Sequence, residues 1–280
     1  MGLKKLAALA AILAFAGLAQ PAAAQQVASS WDKISSQKTL KVGLIPNRPP
    51  YQYLLNGEQE GLAIQMGKDL AAALSKEMGG EIKISYVQST WATIVLDIQA
   101  GNVDVFFGMT DSEERRKAVA MFGPLYSVPV VALNAANFNP GDKWADYDKD
   151  TVNIATIMGT TDEEAAKAVM KNAKFRGHRT LAEAALDVQS GRSQALVTSL
   201  LIGLDASTKA PNTGKLMLLQ PVQTAPSGGG ATKDADGRFA AFAQKWSVEY
   251  HQSGRAQTVI TEAIAKSGLP VEKLPAGVKF

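Results

Sequence analysis

The chain has 280 residues and a formal net charge of +3, with 29 basic and 26 acidic side chains, a balance that gives no support for nucleic-acid binding. It contains no cysteine and only two histidines, His178 and His251, which lie far apart in the sequence. Disulfides and thiolate chemistry are therefore excluded, no Cys/His cluster is available for a metal, and no cofactor motif is present. The length is sufficient for two lobes of ordinary domain size.

The first 24 residues have the organisation of a secretory signal peptide. Lys4 and Lys5 form a charged n-region, residues 6–19 form an apolar stretch, and residues 21–24 supply a small-residue cleavage site before Gln25. A membrane anchor is the alternative, but the apolar stretch is short for a span. Because there is no cysteine for lipid attachment, we expect an unlipidated protein in the periplasm of a bacterium with two membranes.

After a polar lead-in over 25–37, the pattern of apolar residues alternates between strands and helices. The first half is predicted to contain strands at 39–45, 81–87 and 103–107, and helices at 64–78 and 90–100. The second half is predicted to contain strands at 128–133, 152–157 and 194–198, helices at 162–171, 181–190, 238–252 and 256–266, and a hinge-like Pro/Gly/Ser stretch at 225–230. This alternation indicates a largely parallel sheet covered by helices.

Residues 107–115 are the strongest candidate for a ligand site. Gly108 lets the backbone approach a partner closely, Thr110 offers a hydroxyl, and one of residues 111–112 can cap the helix that follows. Arg115 lies in the first turn of that helix, and a guanidinium can grip a small carboxylate with two parallel hydrogen bonds. The alternative is that Arg115 pairs with one of the two glutamates that precede it, on a solvated helix.

A set of landmarks in a fixed order extends over about residues 39–235. They are Val42–Gly43, Pro49–Tyr51, Gly57, Gly61 with Ile64, Gln99–Asp104, Gly108–Thr110, Glu114–Arg115, Pro124 with Tyr126, Gly159–Thr161 and Gly191–Arg192. In their order and spacing they resemble the family 3 extracellular solute-binding proteins, which serve polar amino-acid ABC transporters.

The resemblance implies an α/β fold of two Rossmann-like lobes joined by a two-strand hinge, the periplasmic-binding-protein-like II arrangement. The first lobe would comprise 37–127 plus 232–280, and the second would comprise 128–231. Such a protein closes around a small carboxylate ligand by a hinge motion and presents the closed form to permease subunits of an ABC transporter. A monomer is the default for such a binder.

Carried over position by position, the resemblance gives ligand-binding roles to Arg115, Thr110, Gly108, Thr161, Trp91 and Tyr51. Arg115 would grip the ligand α-carboxylate, with backbone and hydroxyl contacts from Gly108 and Thr110. Thr161, at a helix N-terminus in the second lobe, would close on the same carboxylate. Trp91 would lie against the ligand, although it is equally well explained as the first core residue of an amphipathic helix.

Several positions depart from the family pattern. Ser199 stands where most amino-acid binders carry an Asp for the ligand ammonium, and Arg48 stands where an aromatic residue stacks on the ligand. Ala63 and Gln65 replace an acidic pair. We therefore predict that Arg48 and Ser199 line a more positive site, whose ligand lacks an α-ammonium or carries a second anionic group. Two points remain open: Arg48 could be a surface loop residue, and Asp205 could substitute for the missing acid.

The predicted function is that of a periplasmic solute-binding protein. One alternative is an enzyme that resembles the periplasmic cyclohexadienyl dehydratases, which need a general acid in the cleft. The family pattern places no carboxylate at the matching position here, so catalysis is not expected. The other alternative is a ligand-sensing module that reports to a membrane receptor.

Overall fold

The computed structural model describes residues 29–275, and the structural statements below refer to these residues. The predicted signal peptide, residues 1–24, lies outside them. Within 29–275, no helix combines the length and apolar character needed to cross a bilayer.

Helices and strands alternate throughout the described chain. The first half contains α1 (Ser30–Gln37), β1 (Thr39–Leu44), β2 (Tyr53–Leu55), β3 (Glu58–Glu60), α2 (Leu62–Met78), β4 (Lys83–Gln88), α3 (Ile94–Gln99), β5 (Val105–Thr110), α4 (Glu113–Ala118) and β6 (Ala120–Ala135). The second half contains α5 (Trp144–Tyr147), β7 (Asn153–Ile157), α6 (Thr161–Val169), β8 (Lys174–His178), α7 (Leu181–Gln189), β9 (Ala195–Ser199), α8 (Leu200–Lys209), β10 (Thr213–Leu218), β11 (Thr224–Ala231), α9 (Arg238–Gln252), α10 (Arg255–Ser267) and a short 3-10 helix (Val271–Lys273).

Two groups of parallel strands flank a central antiparallel pair. The strand order is β4-β1-β5-β11-β6-β9-β7-β8, and β10 also pairs with β6. Strand β1 is parallel to β4 and β5, and β7 is parallel to β8 and β9. Strand β6 pairs with β11 as far as Pro129 and with β9 from Val130 onward, so it passes from one group to the other. This topology confirms the predicted two-lobed α/β fold; the proposed lobe boundaries stay a prediction.

Aromatic packing fixes the position of β5. Phe107 is fully buried and contacts the edges of Phe122 and Trp246, at ring-centroid distances of 5.9 and 6.0 Å. Burying one such side chain contributes about 1.5–3 kcal/mol. On the other face of β5, Phe106 packs in a smaller core with Ile94 and Ile98 of α3. The end of β5, where the candidate site begins, is therefore held rigidly.

Two segments that were predicted to lack secondary structure form a helix and a strand. The expected polar lead-in contains helix α1, which is capped by the side chain of Ser29. Trp31 of this helix packs against Phe242, with a ring-centroid distance of 5.5 Å. The expected hinge-like stretch at 225–230 lies within strand β11, which pairs with both β5 and β6. Its glycines are needed because the strands approach closely: a Cβ at Gly228 would lie 2.0 Å from a backbone oxygen of β6.

Candidate ligand-binding site

The site begins at the end of β5, where Gly108 has φ +78°. A Cβ at this position would lie 2.8 Å from Cε1 of Tyr51 and 3.1 Å from Nη2 of Arg48. The register of β11 against β5 shifts between Gly228 and Gly229, so Gly108 is the extra residue of a β-bulge. Only glycine suits both this backbone conformation and the crowding around it.

Arg115 is buried, with 8% of its surface exposed. The hydroxyl of Ser112, one of the two predicted caps, accepts a hydrogen bond from the Arg115 backbone N–H and begins α4. The guanidinium donates from Nη1 to the Thr110 carbonyl oxygen (2.9 Å) and from Nη2 to the Gly159 carbonyl oxygen (3.2 Å). Burial lowers the pKa of Arg115, and the side chain forms no ion pair within residues 29–275. The alternative in which it pairs with a neighbouring glutamate is therefore wrong.

An arginine has five N–H donors, and Arg115 uses two of them on carbonyl groups. Three donors remain for a ligand. The bond to Gly159 crosses the cleft, because Gly159 precedes α6 on the opposite side. A Cβ at Gly159 would lie 3.3 Å from the Trp91 carbonyl oxygen, so the two sides of the cleft already touch.

Asp162 is a charged residue of the site that the sequence analysis missed. It lies in the first turn of α6 and is 7% exposed. One carboxylate oxygen accepts hydrogen bonds from the Ser199 backbone N–H (2.7 Å) and from Oγ1 of Thr198 (3.4 Å). Burial raises the pKa of Asp162, and these two donors and the charge of Arg115 partly offset that effect. In the sequence Asp162 has the pattern of an ordinary acidic residue at a helix start, and only its distance from Ser199 in the fold shows otherwise.

The helix that Asp162 belongs to begins one residue earlier than predicted, at Thr161. Thr160, rather than Thr161, accepts a hydrogen bond from the Glu163 backbone N–H. Thr161 is the first helical residue and faces the same cavity as Asp162.

Ser199 lies at the junction of β9 and α8 and contributes to the site through its backbone N–H. It holds the Asp162 carboxylate, so the position predicted to lack an acid has one directly beside it. Asp205, the predicted substitute, is instead buried on α8 and paired with Lys209. Burial raises the pKa of Asp205 to about 6, against the opposing charge of Lys209.

Arg48 is buried in an aromatic cage, so its interpretation as a surface loop residue is wrong. Its exposed fraction is 4%, and its guanidinium carbon lies 4.1 Å from the ring centroid of Tyr51, 4.9 Å from that of Trp91 and 5.5 Å from that of Phe106. Nη2 makes one long hydrogen bond, of 3.4 Å, to Oε1 of Gln52.

Trp91 lies in a turn ahead of α3 rather than within a helix. Its ring packs edge-on against Phe106 at 5.7 Å, and the guanidinium carbon of Arg115 lies 5.7 Å from its centroid. Trp91 thus stands between the two arginines of the site, packed against the smaller core and lining the cavity. Its predicted contact with a ligand stays a prediction.

Two adjoining cavities occupy the cleft, and Trp91 and Ile202 line both of them. The smaller cavity, of about 20 Å³, is lined by the predicted residues Tyr51, Trp91, Gly108, Thr110, Arg115, Thr161 and Ser199, and by Val128, Thr160, Asp162, Ile202 and Ser227, which the sequence analysis did not name. The larger cavity, of about 320 Å³, contains the remaining predicted residue, Arg48, together with Arg179 and Lys209. The fold thus brings all the predicted positions to one cleft; their roles in binding stay predictions.

Comparisons with known proteins show the family to which the chain belongs. A sequence profile of the bacterial extracellular solute-binding proteins, family 3, matches residues 40–261. The chain is similar to the L-glutamate/L-aspartate-binding protein of Pseudomonas aeruginosa, with 29% identity over 207 residues that cover 70% of this chain and 67% of the relative. It is also similar to a probable histidine-binding protein of Campylobacter jejuni, with 26% identity over 160 residues, or 57% of this chain and 59% of the relative. The chain therefore spans less than two thirds of the length of the Campylobacter relative.

A solved structure of an amino acid-binding protein has a similar fold. The ancestral amino acid-binding protein AncCDT-1, described as a precursor of cyclohexadienyl dehydratase, is similar in fold with a TM-score of 0.70 and 30% sequence identity, covering 85% of this chain and 100% of that chain. Because the family profile matches most of the sequence, the chain belongs to the bacterial extracellular solute-binding proteins, family 3.

Proposed function

We propose that this chain is a periplasmic binding protein of an ABC importer, and that it holds an α-amino acid as a zwitterion in the cleft and delivers it to membrane permease subunits. The observation that carries the proposal is the placement of Arg115 and Asp162. Both are buried, both line the same small cavity, and they form no ion pair with each other. A cation and an anion held apart in one cavity are complementary to the carboxylate and ammonium of one small molecule.

The side chains suit these roles chemically. The remaining N–H donors of Arg115 can bind a carboxylate with charge-assisted hydrogen bonds. Ser199 and Thr198 occupy one oxygen of Asp162, which leaves its other oxygen available as an acceptor for an ammonium. An ammonium in a cleft shielded from water needs such a partner. This proposal replaces the sequence-based hypothesis of a ligand without an α-ammonium. That hypothesis depended on Ser199, Arg48 and the loss of an acidic pair at Ala63 and Gln65, and it did not include Asp162.

Transport fits the family and the sequence. Family membership supports extracellular solute binding. The signal-like first 24 residues and the absence of cysteine support a periplasmic location. A monomer is the proposed form because it is the default for a binder that closes by a hinge motion. Relatives named for histidine, glutamate and aspartate support an amino-acid head group but differ in the side chain that they take.

The experiment is a thermal-shift comparison of matched ligand pairs on the chain without residues 1–24. Each pair shares a carbon skeleton with and without the ammonium: L-glutamate with 2-oxoglutarate, L-alanine with pyruvate, and L-phenylalanine with phenylpyruvate. A ligand at a hundred times its Kd stabilises the folded state by about 2.7 kcal/mol, which raises Tm by about 5–10 °C for a chain of this size. We expect a shift with at least one amino acid and none with its keto acid. A shift with keto acids alone would contradict the zwitterion proposal.

A catalytic alternative has one observation in its favour. An enzyme was disfavoured because no cleft carboxylate was expected, yet Asp162 is one, and its raised pKa is the direction that suits a general acid. Against this, the N–H of Ser199 and the charge of Arg115 favour its ionised form. Incubation with prephenate, followed by the absorbance of phenylpyruvate, distinguishes the two: we expect no turnover, and turnover abolished by Asp162→Asn would establish catalysis.

A further inference from the structure

The guanidinium of Arg48 shares two aromatic neighbours with the proposed ligand site. Its cage partners Tyr51 and Trp91 also line the small cavity that contains Arg115 and Asp162. Its Nη2 atom lies 3.1 Å from the point where a Cβ on Gly108 would project. The aromatic cage is therefore a compartment of the ligand site, and the protein fills it with its own cation.

Arg48 is poorly supplied with hydrogen bonds for a buried charge. Among residues 29–275, its Nε and Nη1 atoms are buried and have no hydrogen-bond partner, and Nη2 has only the long bond to Gln52. Burial lowers the pKa of Arg48 to about 10, so the side chain is still charged at neutral pH. The faces of Tyr51, Trp91 and Phe106 stabilise the charged side chain, since a cation over an aromatic ring is attracted to its negative face. The negative charge of Asp205 also favours the charged form of Arg48.

The three aromatic rings around Arg48 are also suited to bind a cationic side chain of a ligand. Three aromatic faces around one guanidinium form a cage that would bind the guanidinium of a free ligand equally well. Here the cage is occupied from within, and any ligand cation that approached would meet Arg48 at close range. The larger cavity adds one further cation, Arg179; its other basic residue, Lys209, is ion-paired with Asp205, and no acidic side chain lies among the described lining residues.

We infer that Arg48 is an internal occupant of a cage suited to a cationic side chain, and that it restricts the solute to amino acids with neutral or acidic side chains. This inference rests on the proposed function, because it assigns the side-chain compartment of the same site. Arg48 thus determines specificity by excluding one class of ligand, without being required to contact the ligand that binds.

The test compares L-arginine with L-citrulline, a neutral analogue of nearly the same shape, with L-glutamine and L-glutamate as reference ligands. Binding is measured by isothermal titration calorimetry on the wild type, on Arg48→Ala, which empties the cage, and on Arg48→Met, which keeps it filled without the charge. We expect wild type to bind the best neutral or acidic ligand at least tenfold more tightly than L-arginine. Arg48→Ala should gain at least tenfold in affinity for L-arginine, and Arg48→Met should not.

Wild-type protein that binds L-arginine as tightly as L-citrulline overturns the inference. So does a folded Arg48→Ala variant with no gain for L-arginine. If Arg48→Ala fails to fold, the comparison of L-arginine with L-citrulline on wild type still tests the inference. Arg48→Met supports that comparison: its Kd values for the two ligands should differ less than those of wild type.

Failure of the proposed function leaves a different signature. If no amino acid binds wild type, the cage is still tested with millimolar methylguanidinium, which should raise the Tm of Arg48→Ala but not that of Arg48→Met or wild type. A shift in Arg48→Ala alone supports an occupied cage, whereas equal responses from all three proteins refute it.

Discussion

Replacing Arg115 with alanine is the most direct perturbation of the proposed binding mode. Arg115 is 8% exposed and forms no ion pair within the described chain, so its charge is available for the ligand carboxylate. Without it, that carboxylate would be desolvated with no cationic partner. Truncating one member of a buried, hydrogen-bonded charge pair costs about 2–5 kcal/mol. This corresponds to a rise in Kd of about 30-fold to several thousand-fold.

The same substitution affects the protein without ligand. Arg115 donates hydrogen bonds to the carbonyl oxygens of Thr110 and Gly159, and each such bond contributes about 1 kcal/mol. The Tm of the free protein should therefore fall, so a thermal shift alone would confuse stability with affinity. Isothermal titration calorimetry at a temperature well below Tm separates the two, with the amino acid that gives the largest shift in wild type as the titrant.

Two further variants complete the measurement. Arg115→Lys keeps the charge but loses the bidentate geometry, and we expect a loss of affinity smaller than that of alanine. Arg116→Ala is the matched control: this residue lies on the same helix, its side chain is 66% exposed, and it pairs with Asp111 on the surface. A folded Arg115→Ala variant whose Kd stays within threefold of wild type would refute the assignment of Arg115 to the ligand carboxylate.

Three other perturbations test separate parts of the structure. Asp162→Asn should weaken amino-acid binding by about 2 kcal/mol or more in calorimetry, while keto-acid binding should be unchanged or improved. Asp150→Asn, on an exposed loop, is the control. Equal losses of affinity for both ligand classes in Asp162→Asn would contradict the assignment of Asp162 to the ligand ammonium. Gly108→Ala combines positive φ with a close contact and should lower the free energy of unfolding, measured with guanidinium chloride, by about 1–3 kcal/mol. At Gly57 φ is also positive but the surrounding space is open, so Gly57→Ala should lower the free energy of unfolding by less. Equal losses in the two variants would mean that crowding around Gly108 is unimportant. Asp205 has a folded-state pKa raised to about 6, so its contribution to stability is full below the unfolded pKa of about 4 and is lost as the pH rises through 6. Asp205→Asn should therefore flatten the dependence of unfolding free energy on pH between 4 and 7, and an unchanged slope would show that this carboxylate does not titrate there.

The elements that were predicted correctly are those whose signal is local. Helices α2, α7, α9 and α10 have apolar residues at helical spacing and clear ends, and the predicted bounds agree with the structure to within two residues. Helix α1 was missed because its amphipathic pattern is short, and it is stabilised by contact with α9, which lies about two hundred residues away. Strand β11 was missed because proline and glycine favour loops locally, while pairing on both sides holds this segment extended.

The residues of the candidate site also fall into those with a local sequence signal and those without one. The sequence by itself determined the fold class, the family and the run from Gly108 to Arg115, because a strand end, a cap and the first turn of a helix are encoded within a few neighbouring residues. Only the tertiary structure decided that Asp162 lies beside Ser199, 37 residues away, and that Arg48 is buried among three aromatic rings. The physical reason is that the environment of a charge depends on which distant elements exclude water from it, and no local pattern records that.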